Sequence, residues 1–206
     1  MTAQAQLRRK YTVEEYVELL QNSEERFEYF DGEILSMAAG KISHGGIAAN
    51  LMRALGNRLD ERPCRIFNGD VALKTILAPP FRMPDVSIAC GEAQTEYFQG
   101  IEMLLNPVFI CEILSPKTES YDRDDKFIAY QAIESFQEYL LVEQHRPHVI
   151  RYRRQPDNQW TRSDVIGLES SLTLESLGIT LSLSEIYRMI KFPATEPEPL
   201  AQEPAE

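Results

Sequence analysis

Two carboxylate residues in apolar surroundings could hold a divalent cation. Asp85 opens the apolar run 86–90, and Glu112 lies inside a second apolar run, 108–114. Magnesium needs only one or two protein carboxylates, because waters and substrate phosphate oxygens complete its coordination shell. If the two runs are neighbouring strands, the sequence predicts a site at which Asp85 and Glu112 bind Mg²⁺ or Mn²⁺.

Glu112 is the stronger of these two observations. A glutamate within an otherwise apolar strand is costly to bury unless its carboxylate is paired, hydrogen-bonded or bound to a metal ion. The structural alternative is an ion pair with an arginine or a lysine. Asp85 alone has the ordinary position of a turn residue before a strand, so its functional interpretation depends on Glu112.

Lys126 follows Glu112 on a predicted helix. Asp122, Lys126 and Tyr130 are spaced four residues apart, which places them on one helix face. An ammonium group that faces the carboxylates could orient an attacking water and offset negative charge on the phosphoryl oxygens. The alternative is a surface ion pair between Asp122 and Lys126 beside a core tyrosine.

Three further residues are candidates for the same site. Glu28 lies between aromatic residues and could add a third carboxylate, and its alternative is a cross-strand pair with Arg26 or a lysine. His44, near the start of a predicted helix, is a candidate substrate contact, although a lone histidine there is usually structural or solvated. Tyr130 is a second candidate substrate contact.

The remaining polar motifs favour structural interpretations. His145 and His148 flank a predicted turn and are expected to be exposed, without zinc-type spacing. The basic segment 151–154 is expected on the exposed side of an edge strand, with contact to a phosphate backbone as the alternative. No glycine-rich phosphate loop is present, and Ser115 has no evident histidine partner, which argues against a serine hydrolase.

The composition limits the class of protein. The chain of 206 residues has a formal net charge of −11, which argues against a protein that coats nucleic acid through a broad basic surface. A carboxylate site for a divalent cation is compatible with an acidic chain, because the metal supplies local positive charge.

No apolar run is long enough to cross a bilayer, and the N-terminus lacks the apolar part of a secretory signal. Cys64, Cys90 and Cys111 are expected to be buried reduced thiols, and the sequence predicts a cytoplasmic protein.

Hydrophobic periodicity predicts helices and strands that alternate along the chain. Thr12 and Glu15 predict a capping box at the first helix, Asp31-Gly32 predicts a hairpin turn, and Ser184 is the expected cap of the last helix. The predicted helices are 13–22, 44–59, 122–134 and 181–190, and the predicted strands are 26–30, 33–37, 64–68, 71–77, 86–90, 108–114, 139–143 and 148–153. This order predicts a single α/β domain at 8–191, with a mixed central sheet flanked by helices, and a disordered acidic Pro/Glu-rich tail at 192–206.

Six stretches of the chain, taken in order, resemble the PD-(D/E)XK nuclease superfamily, and in particular its Uma-two branch of restriction-endonuclease-like proteins. They are FEYFDGEIL (27–35), GKISH (40–44), MPDVS (83–87), PVFICEILSP (107–116), DRDDKFIAY (122–130) and QEYLLV (137–142). The resemblance covers nearly the whole chain except its two ends. It implies a restriction-endonuclease-like α/β core.

The resemblance also implies roles for individual residues. Asp85 and Glu112 correspond to the metal-binding acids, Lys126 to the catalytic lysine and Glu28 to a further acid near the site. His44 matches a position that is typical of the family.

One position departs from the superfamily pattern. There the lysine follows the glutamate by two residues, and this chain has Leu114 at that position. Lys126 would have to project back into the site from the next helix, as it does in the Uma-two branch.

We therefore expect a Mg²⁺-dependent endonuclease that hydrolyses phosphodiester bonds in DNA, and a homodimer would suit the cutting of both strands. The alternative is a catalytically silent protein that keeps the nuclease fold for binding or regulation, a hypothesis favoured by the acidic composition and the displaced lysine. A third hypothesis is a metal-dependent hydrolase of small phosphoesters.

Overall fold

The computed structural model describes residues 9–25, 27–36, 41–116 and 119–192. Helices and strands alternate along these ranges. The helices are α1 (Val13–Asn22), α2 (Ile42–Leu59), α3 (Glu119–Arg123), α4 (Asp125–Gln131) and α5 (Leu183–Ile186). The strands are β1 (Phe27–Phe30), β2 (Glu33–Ser36), β3 (Cys64–Asn68), β4 (Ala72–Lys74), β5 (Phe81–Arg82), β6 (Val86–Cys90), β7 (Thr95–Phe98), β8 (Ile101–Leu104), β9 (Phe109–Leu114), β10 (Glu138–Glu143), β11 (His148–Arg154), β12 (Trp160–Ile166), β13 (Ser171–Leu174) and β14 (Ile179–Ser182).

The central sheet has six strands in the order β12-β11-β10-β9-β6-β3. Strands β9 and β10 run parallel, whereas the other neighbouring pairs are antiparallel. All six residues of β9 are buried, as expected for a strand that is apolar on both faces. The predicted mixed sheet flanked by helices is confirmed.

Each face of this sheet has its own apolar cluster. One face packs against α2, α5 and the β13–β14 hairpin, with Leu51 and Leu55 of α2 fully buried. The other face packs against α4, where the rings of Phe127 and Tyr130 contact Tyr139. Because β9 lies between these two layers, a polar side chain on this strand is withdrawn from bulk water.

The N-terminal part belongs to a third apolar cluster. Tyr16 and Val17 of α1 pack with Phe81 and Met103 of a smaller sheet, whose order is β5-β4-β8-β7. The β1–β2 hairpin contributes Phe27 to the same cluster. The hairpin that carries Glu28 is therefore packed on a different core from the strand that carries Glu112.

The local signals predicted in this N-terminal part are confirmed. Glu15 N–H donates to Thr12 Oγ1 at 3.2 Å, and Thr12 N–H donates to Glu15 Oε2 at 2.9 Å. Asp31 and Gly32 both have positive φ, 44° and 81°, as a type I′ hairpin turn requires. The turn fixes the β1–β2 register, and with it the face of the hairpin on which Glu28 lies.

Two predicted helices differ in the structure. The predicted helix 122–134 is divided at Asp124 into α3 and α4, and α4 ends at Gln131. The predicted helix 181–190 is a strand up to Ser182, followed by the short α5, which is capped by Ser182 rather than Ser184. Leu181 pairs with Leu172 in the β13–β14 hairpin, so tertiary contacts override the local helical pattern.

Four features of the sheets are absent from the prediction: the two-residue strand β5, the β7–β8 hairpin, the β13–β14 hairpin and the strand β12. Every residue of β12 is exposed or half-buried. Its sequence therefore carries little of the hydrophobic alternation from which strands are predicted.

The expectation of three reduced cysteines is wrong for two of them. Cys64 and Cys90 lie opposite each other on β3 and β6 and form a disulfide, whereas Cys111 is a buried free thiol. The pairing depends on the antiparallel register of two strands, which the spacing of the cysteines does not reveal. The cysteine pattern therefore no longer supports a reducing compartment.

The prediction that both histidines near the β10–β11 turn are exposed is half right. His145 is exposed, but His148 is 6% exposed. The His148 ring nitrogens lie 3.0 Å from Glu143 Oε1 and 2.8 Å from Asp164 Oδ1. Two carboxylates on neighbouring strands thus replace the solvent contacts expected for this imidazole.

The basic segment 151–154 does not lie on an edge strand. It belongs to β11, which pairs with β10 on one side and β12 on the other. Arg151 forms an ion pair with Glu175, and Arg154 donates to backbone carbonyl oxygens of the α4–β10 connection. These two guanidinium groups are engaged within the protein.

Parts of some predicted elements lie outside the described residues. They are Arg26, Met37, Gly40, residue 8 and the predicted tail beyond Phe192. Within the described ranges, no helix has the length and apolar character needed to span a membrane.

Candidate active site

The register of two strands places Asp85 beside Glu112. Val86 pairs with Cys111 in the antiparallel β6–β9 ladder, so the next position along this register sets Asp85 opposite Glu112. The backbone N–H of Ile113 donates to Asp85 Oδ2 at 2.7 Å, which links the aspartate to β9. The predicted placement of the two acids on neighbouring strands is therefore present.

The Lys126 ammonium group lies at the centre of a buried acidic cluster. Its Nζ is 2.6 Å from Glu28 Oε1, 2.9 Å from Asp122 Oδ1 and 3.3 Å from Glu112 Oε1. Lys126 is only 2% exposed, so the predicted alternative of a surface ion pair with Asp122 is wrong. Burial by itself would lower the pKa of Lys126, but the three carboxylates outweigh burial and hold this pKa well above its ordinary value.

The break between α3 and α4 does not disturb the predicted helix face. Asp122 lies at the end of α3 and Lys126 in the first turn of α4, and their side chains still pair. Tyr130, one turn further, donates its hydroxyl hydrogen to Glu112 Oε1 at 2.9 Å. The tyrosine therefore contacts a candidate metal ligand in this structure.

Glu112 is buried in a site that disfavours its ionised form. Burial raises the pKa of this carboxyl well above its ordinary value; the Lys126 ammonium opposes the rise, and the neighbouring acids Asp122, Asp85 and Glu28 add to it. A bound divalent cation would lower the same pKa, because it adds positive charge where the negative charge is in excess.

Asp85 has the opposite electrostatic setting. Burial would raise the pKa of its carboxyl, but His44 Nε2, which lies 3.2 Å from Oδ2, and the Ile113 N–H outweigh burial. The pKa of Asp85 is therefore held below its ordinary value. The structure places His44, predicted as a substrate contact, against this candidate metal ligand.

Glu28 reaches the site from the β1–β2 hairpin. Its carboxylate pairs with Lys126 of helix α4, so the partner is a lysine but not the cross-strand lysine of the structural alternative. Arg26 lies outside the described residues. Glu28 Oε2 is buried and accepts no hydrogen bond from any described residue. An oxygen in this state marks a position where a further hydrogen-bond donor or a cation would be stabilised.

The donor set suits a hard cation bound partly by its substrate. Asp85 and Glu112 supply carboxylate oxygens from adjacent strands, which is the protein contribution that Mg²⁺ commonly uses. Among the residues described, no group of three or more His, Cys, Asp or Glu side chains is arranged to hold a metal ion. An ion held by Asp85 and Glu112 would therefore need further oxygen ligands from water or from a substrate.

Two residues near this site, Gln144 and Tyr139, are not among those that the sequence predicts there. Gln144 is buried at the end of β10; it donates to the Leu114 carbonyl at 2.6 Å and accepts from Ser43 Oγ at 3.1 Å. Tyr139 donates to the Asp122 carbonyl at 2.9 Å. The apolar run of β10 is followed by Glu143 and then by Gln144, and a polar residue at this position is ordinary at the end of a strand.

Comparisons with known proteins agree with this architecture. A family model described as "Uma2: Putative restriction endonuclease" matches residues 13–184. The chain is 32% identical over 185 residues to the uncharacterized protein slr1290 of Synechocystis sp., covering 89% of this chain and 94% of that protein. It is 28% identical over 169 residues to the uncharacterized protein sll1609 of the same organism, covering 82% and 94%.

A solved structure supports the fold. The crystal structure of "a putative nuclease belonging to DUF820" from Anabaena variabilis ATCC 29413 superposes with a TM-score of 0.67 at 18% identity, covering 85% of this chain and 97% of that one. At this identity the likeness establishes a shared fold and not a shared activity. The family model matches most of the length of this chain. The chain therefore belongs to the Uma2 family of restriction-endonuclease-like proteins.

Proposed function

We propose that this protein is a Mg²⁺-dependent endonuclease that hydrolyses phosphodiester bonds in DNA. One observation carries the proposal: Asp85, directly before β6, lies beside Glu112 of the neighbouring strand β9, and the Lys126 ammonium is 3.3 Å from the Glu112 carboxylate. The membership of a family described as restriction endonucleases supports a phosphodiester substrate.

Asp85 and Glu112 would hold the ion, and Mn²⁺ would fit the same oxygen donors. When bound, such an ion supplies Lewis-acid stabilisation of phosphoryl oxygens and activates a coordinated water. His44 and the Ile113 N–H keep Asp85 ionised and fix the direction of its carboxylate. Tyr130 fixes the direction of the Glu112 carboxyl by donating a hydrogen bond to Oε1.

Lys126 acts in this proposal as a fixed positive charge and not as a general base. Its pKa is held well above the ordinary lysine value, so the amine is protonated at neutral pH. A preorganised ammonium in a buried site stabilises charge that develops on phosphoryl oxygens, because it needs no reorganisation when the reaction occurs. Glu28 and Asp122 orient this ammonium.

The first experiment measures metal binding and cleavage separately. Calorimetry with Mg²⁺ and Mn²⁺ should detect binding to the wild-type chain and to Lys126→Met, but not to Asp85→Asn. Plasmid DNA should be cleaved by the wild-type protein with either metal and by neither variant. Glu96→Gln is the matched control, because Glu96 is an exposed acid, with a side chain 48% exposed, in the smaller sheet.

Proton release gives a second readout. Because the Glu112 carboxyl has a raised pKa, metal binding should displace a proton, and the apparent metal affinity should increase with pH. Calorimetry in buffers with different ionisation enthalpies measures this proton directly. Metal binding without proton release, or DNA cleavage that survives Asp85→Asn, would contradict the assigned site.

A second candidate function rests on how tightly the lysine is enclosed. Lys126 is 2% exposed and is paired with three carboxylates, an arrangement that a nuclease fold without turnover could keep for structural reasons. Such a protein would bind nucleic acid or another protein and would show no metal-dependent hydrolysis. Turnover of a model phosphodiester without affinity for DNA would instead indicate a hydrolase of small phosphoesters.

A further inference from the structure

Strand β12 is the outermost strand on one side of the central sheet. It pairs with β11, and no other described strand pairs with it. Among the described residues, the outer backbone groups of Arg162 and Asp164 therefore have no strand partner, whereas the Ile166 carbonyl accepts from Ser170 Oγ at 2.6 Å. Arg162 and Ile166 are well exposed. An unpaired strand edge is a template for addition of a further strand.

The hydrogen bonds at the two ends of the strand reveal which backbone groups point outwards. Gly167 N–H donates to the Pro147 carbonyl at 2.9 Å, and Gln155 N–H donates to the Gln159 carbonyl at 2.7 Å. Positions 159 and 167 therefore face β11, and the two-residue period of a strand places 161, 163 and 165 the same way. The outward-facing backbone groups belong to Trp160, Arg162, Asp164 and Ile166.

The order of these outward residues is self-complementary. If β12 meets a second copy of itself in antiparallel orientation, centred on Ser163, Arg162 of each copy lies opposite Asp164 of the other. Trp160 then lies opposite Ile166 of the other copy. All of these pairs join residues whose N–H and C=O groups point outwards, as the hydrogen-bonded pairs of an antiparallel ladder require.

Other registers lack this complementarity. Moving the centre by one residue sets Arg162 opposite Arg162, or Asp164 opposite Asp164, and like charges directly across a ladder are destabilising. Charged side chains usually protect an edge strand against pairing. Here Arg162 and Asp164 flank the centre symmetrically, and within one chain they already form an ion pair, with Arg162 Nη2 3.0 Å from Asp164 Oδ1. In the register centred on Ser163 each of them also lies opposite the opposite charge of the other copy, whereas the neighbouring registers set like charges opposite each other.

We propose that β12 is the dimerisation edge of this protein and that its partner is a second copy of the same chain. The two central sheets would join into one continuous sheet across a two-fold axis at Ser163. A two-fold contact of this kind is closed, because each β12 edge is hydrogen-bonded to the other and no further copy can add to it. The inference does not depend on the proposed nuclease activity.

Cysteine cross-linking tests the register. In a pair centred on Ser163, the two copies of this residue form a non-hydrogen-bonded pair with Cα atoms about 4.5 Å apart, within the range of a disulfide. Ser163→Cys should give a covalent dimer under mild oxidation. Thr161→Cys is the matched control on the same strand, because its two copies would be about 13 Å apart, beyond disulfide reach.

Sedimentation equilibrium of the full chain tests the edge itself. Arg162→Pro removes an outward N–H and leaves the β11–β12 ladder intact, since proline is tolerated on the outer side of an edge strand. It should convert a wild-type dimer into a monomer with an unchanged circular dichroism spectrum. In Arg162→Asp, a carboxylate at position 162 would lie opposite Asp164 of the other copy in both symmetry-related pairs. This repulsion should raise the dimer dissociation constant at least about tenfold.

Several results would overturn the proposal. A wild-type chain that stays monomeric at its highest soluble concentration has no such dimer. Equal cross-linking of Ser163→Cys and Thr161→Cys would indicate random collision. A dimer that is unaffected by Arg162→Asp uses another surface of this protein. If Arg162→Pro fails to fold, the cross-linking pair and Arg162→Asp still decide the question.

Discussion

Replacing Lys126 with methionine should destabilise the protein strongly. The substitution keeps an unbranched apolar stem but removes an ammonium group that lies 2.6–3.3 Å from three carboxylates. The carboxylates have side chains only 3–9% exposed, so water cannot replace the lost partner. Deleting one partner of a buried ion pair costs about 3–5 kcal/mol, and we expect the free energy of unfolding to fall by about this amount at mildly alkaline pH.

The loss should shrink as the pH is lowered. Without the ammonium, the pKa of Glu112, already raised by burial, rises further. A carboxyl whose pKa is raised on folding binds more protons in the folded state, so stability falls as pH rises from the ordinary carboxyl pKa towards the raised one. Where folded Lys126→Met binds one proton more than the folded wild type, lowering the pH by one unit reduces the difference in their free energies of unfolding by about 1.4 kcal/mol.

Urea denaturation of both proteins between mildly acidic and mildly alkaline pH measures this difference. Lys74→Met is the control, because its ion pair with Glu96 is at the surface, with side chains 42% and 48% exposed. We expect the control to lose at most about 1 kcal/mol, with no comparable pH dependence. Equal losses in the two variants, or a Lys126→Met deficit that is constant across pH, would refute the electrostatic reasoning.

Three further predictions concern single side chains. Glu112→Gln should abolish metal binding and lower the free energy of unfolding less than Lys126→Met in urea titrations, because the ammonium keeps two carboxylate partners and a neutral amide replaces a carboxyl that is costly to ionise; a loss equal to that of Lys126→Met would contradict this account. His44→Ala should raise the pKa of Asp85. The stability that this carboxylate contributes is lost as pH falls through its pKa in the folded state. Acid unfolding, followed by circular dichroism, should therefore begin at a higher pH than in the wild type. Thr12→Ala should cost about 1 kcal/mol in urea denaturation through loss of the α1 cap, and an unchanged midpoint would show that the capping box contributes nothing.

The elements that the sequence predicts best are those whose local pattern agrees with their tertiary contacts. Helix α1 begins at its capping box, the hairpin turns at Asp31-Gly32, and β9 is buried throughout as its apolar run predicts. The short α5 and the strand before it were predicted as one helix, because Leu181 fits a helical period and a hairpin equally well. The disulfide between Cys64 and Cys90 depends on a register that only the folded sheet defines.

The candidate site was predictable because its residues are polar anomalies in apolar runs. Glu112 stands out for this reason, and Asp85 gains meaning only beside it. Lys126 is different: its spacing from Asp122 is equally compatible with a surface ion pair and with an ammonium that faces the carboxylates, and the family resemblance favours the second interpretation. The position of Gln144 near the site cannot be predicted from the sequence, because its contacts with Ser43 and Leu114 join segments that are distant in sequence.

The separate apolar core of the N-terminal segment has a consequence for access to the lysine. Glu28, which covers one side of the ammonium, belongs to a hairpin that packs with Tyr16 and Phe81 and not on the central sheet. Because its apolar contacts are separate, we expect this segment to open locally while the strand that carries Glu112 stays folded. Amide hydrogen exchange in β1 should then be faster than in β9, and the Lys126 ammonium should become accessible to solvent without global unfolding.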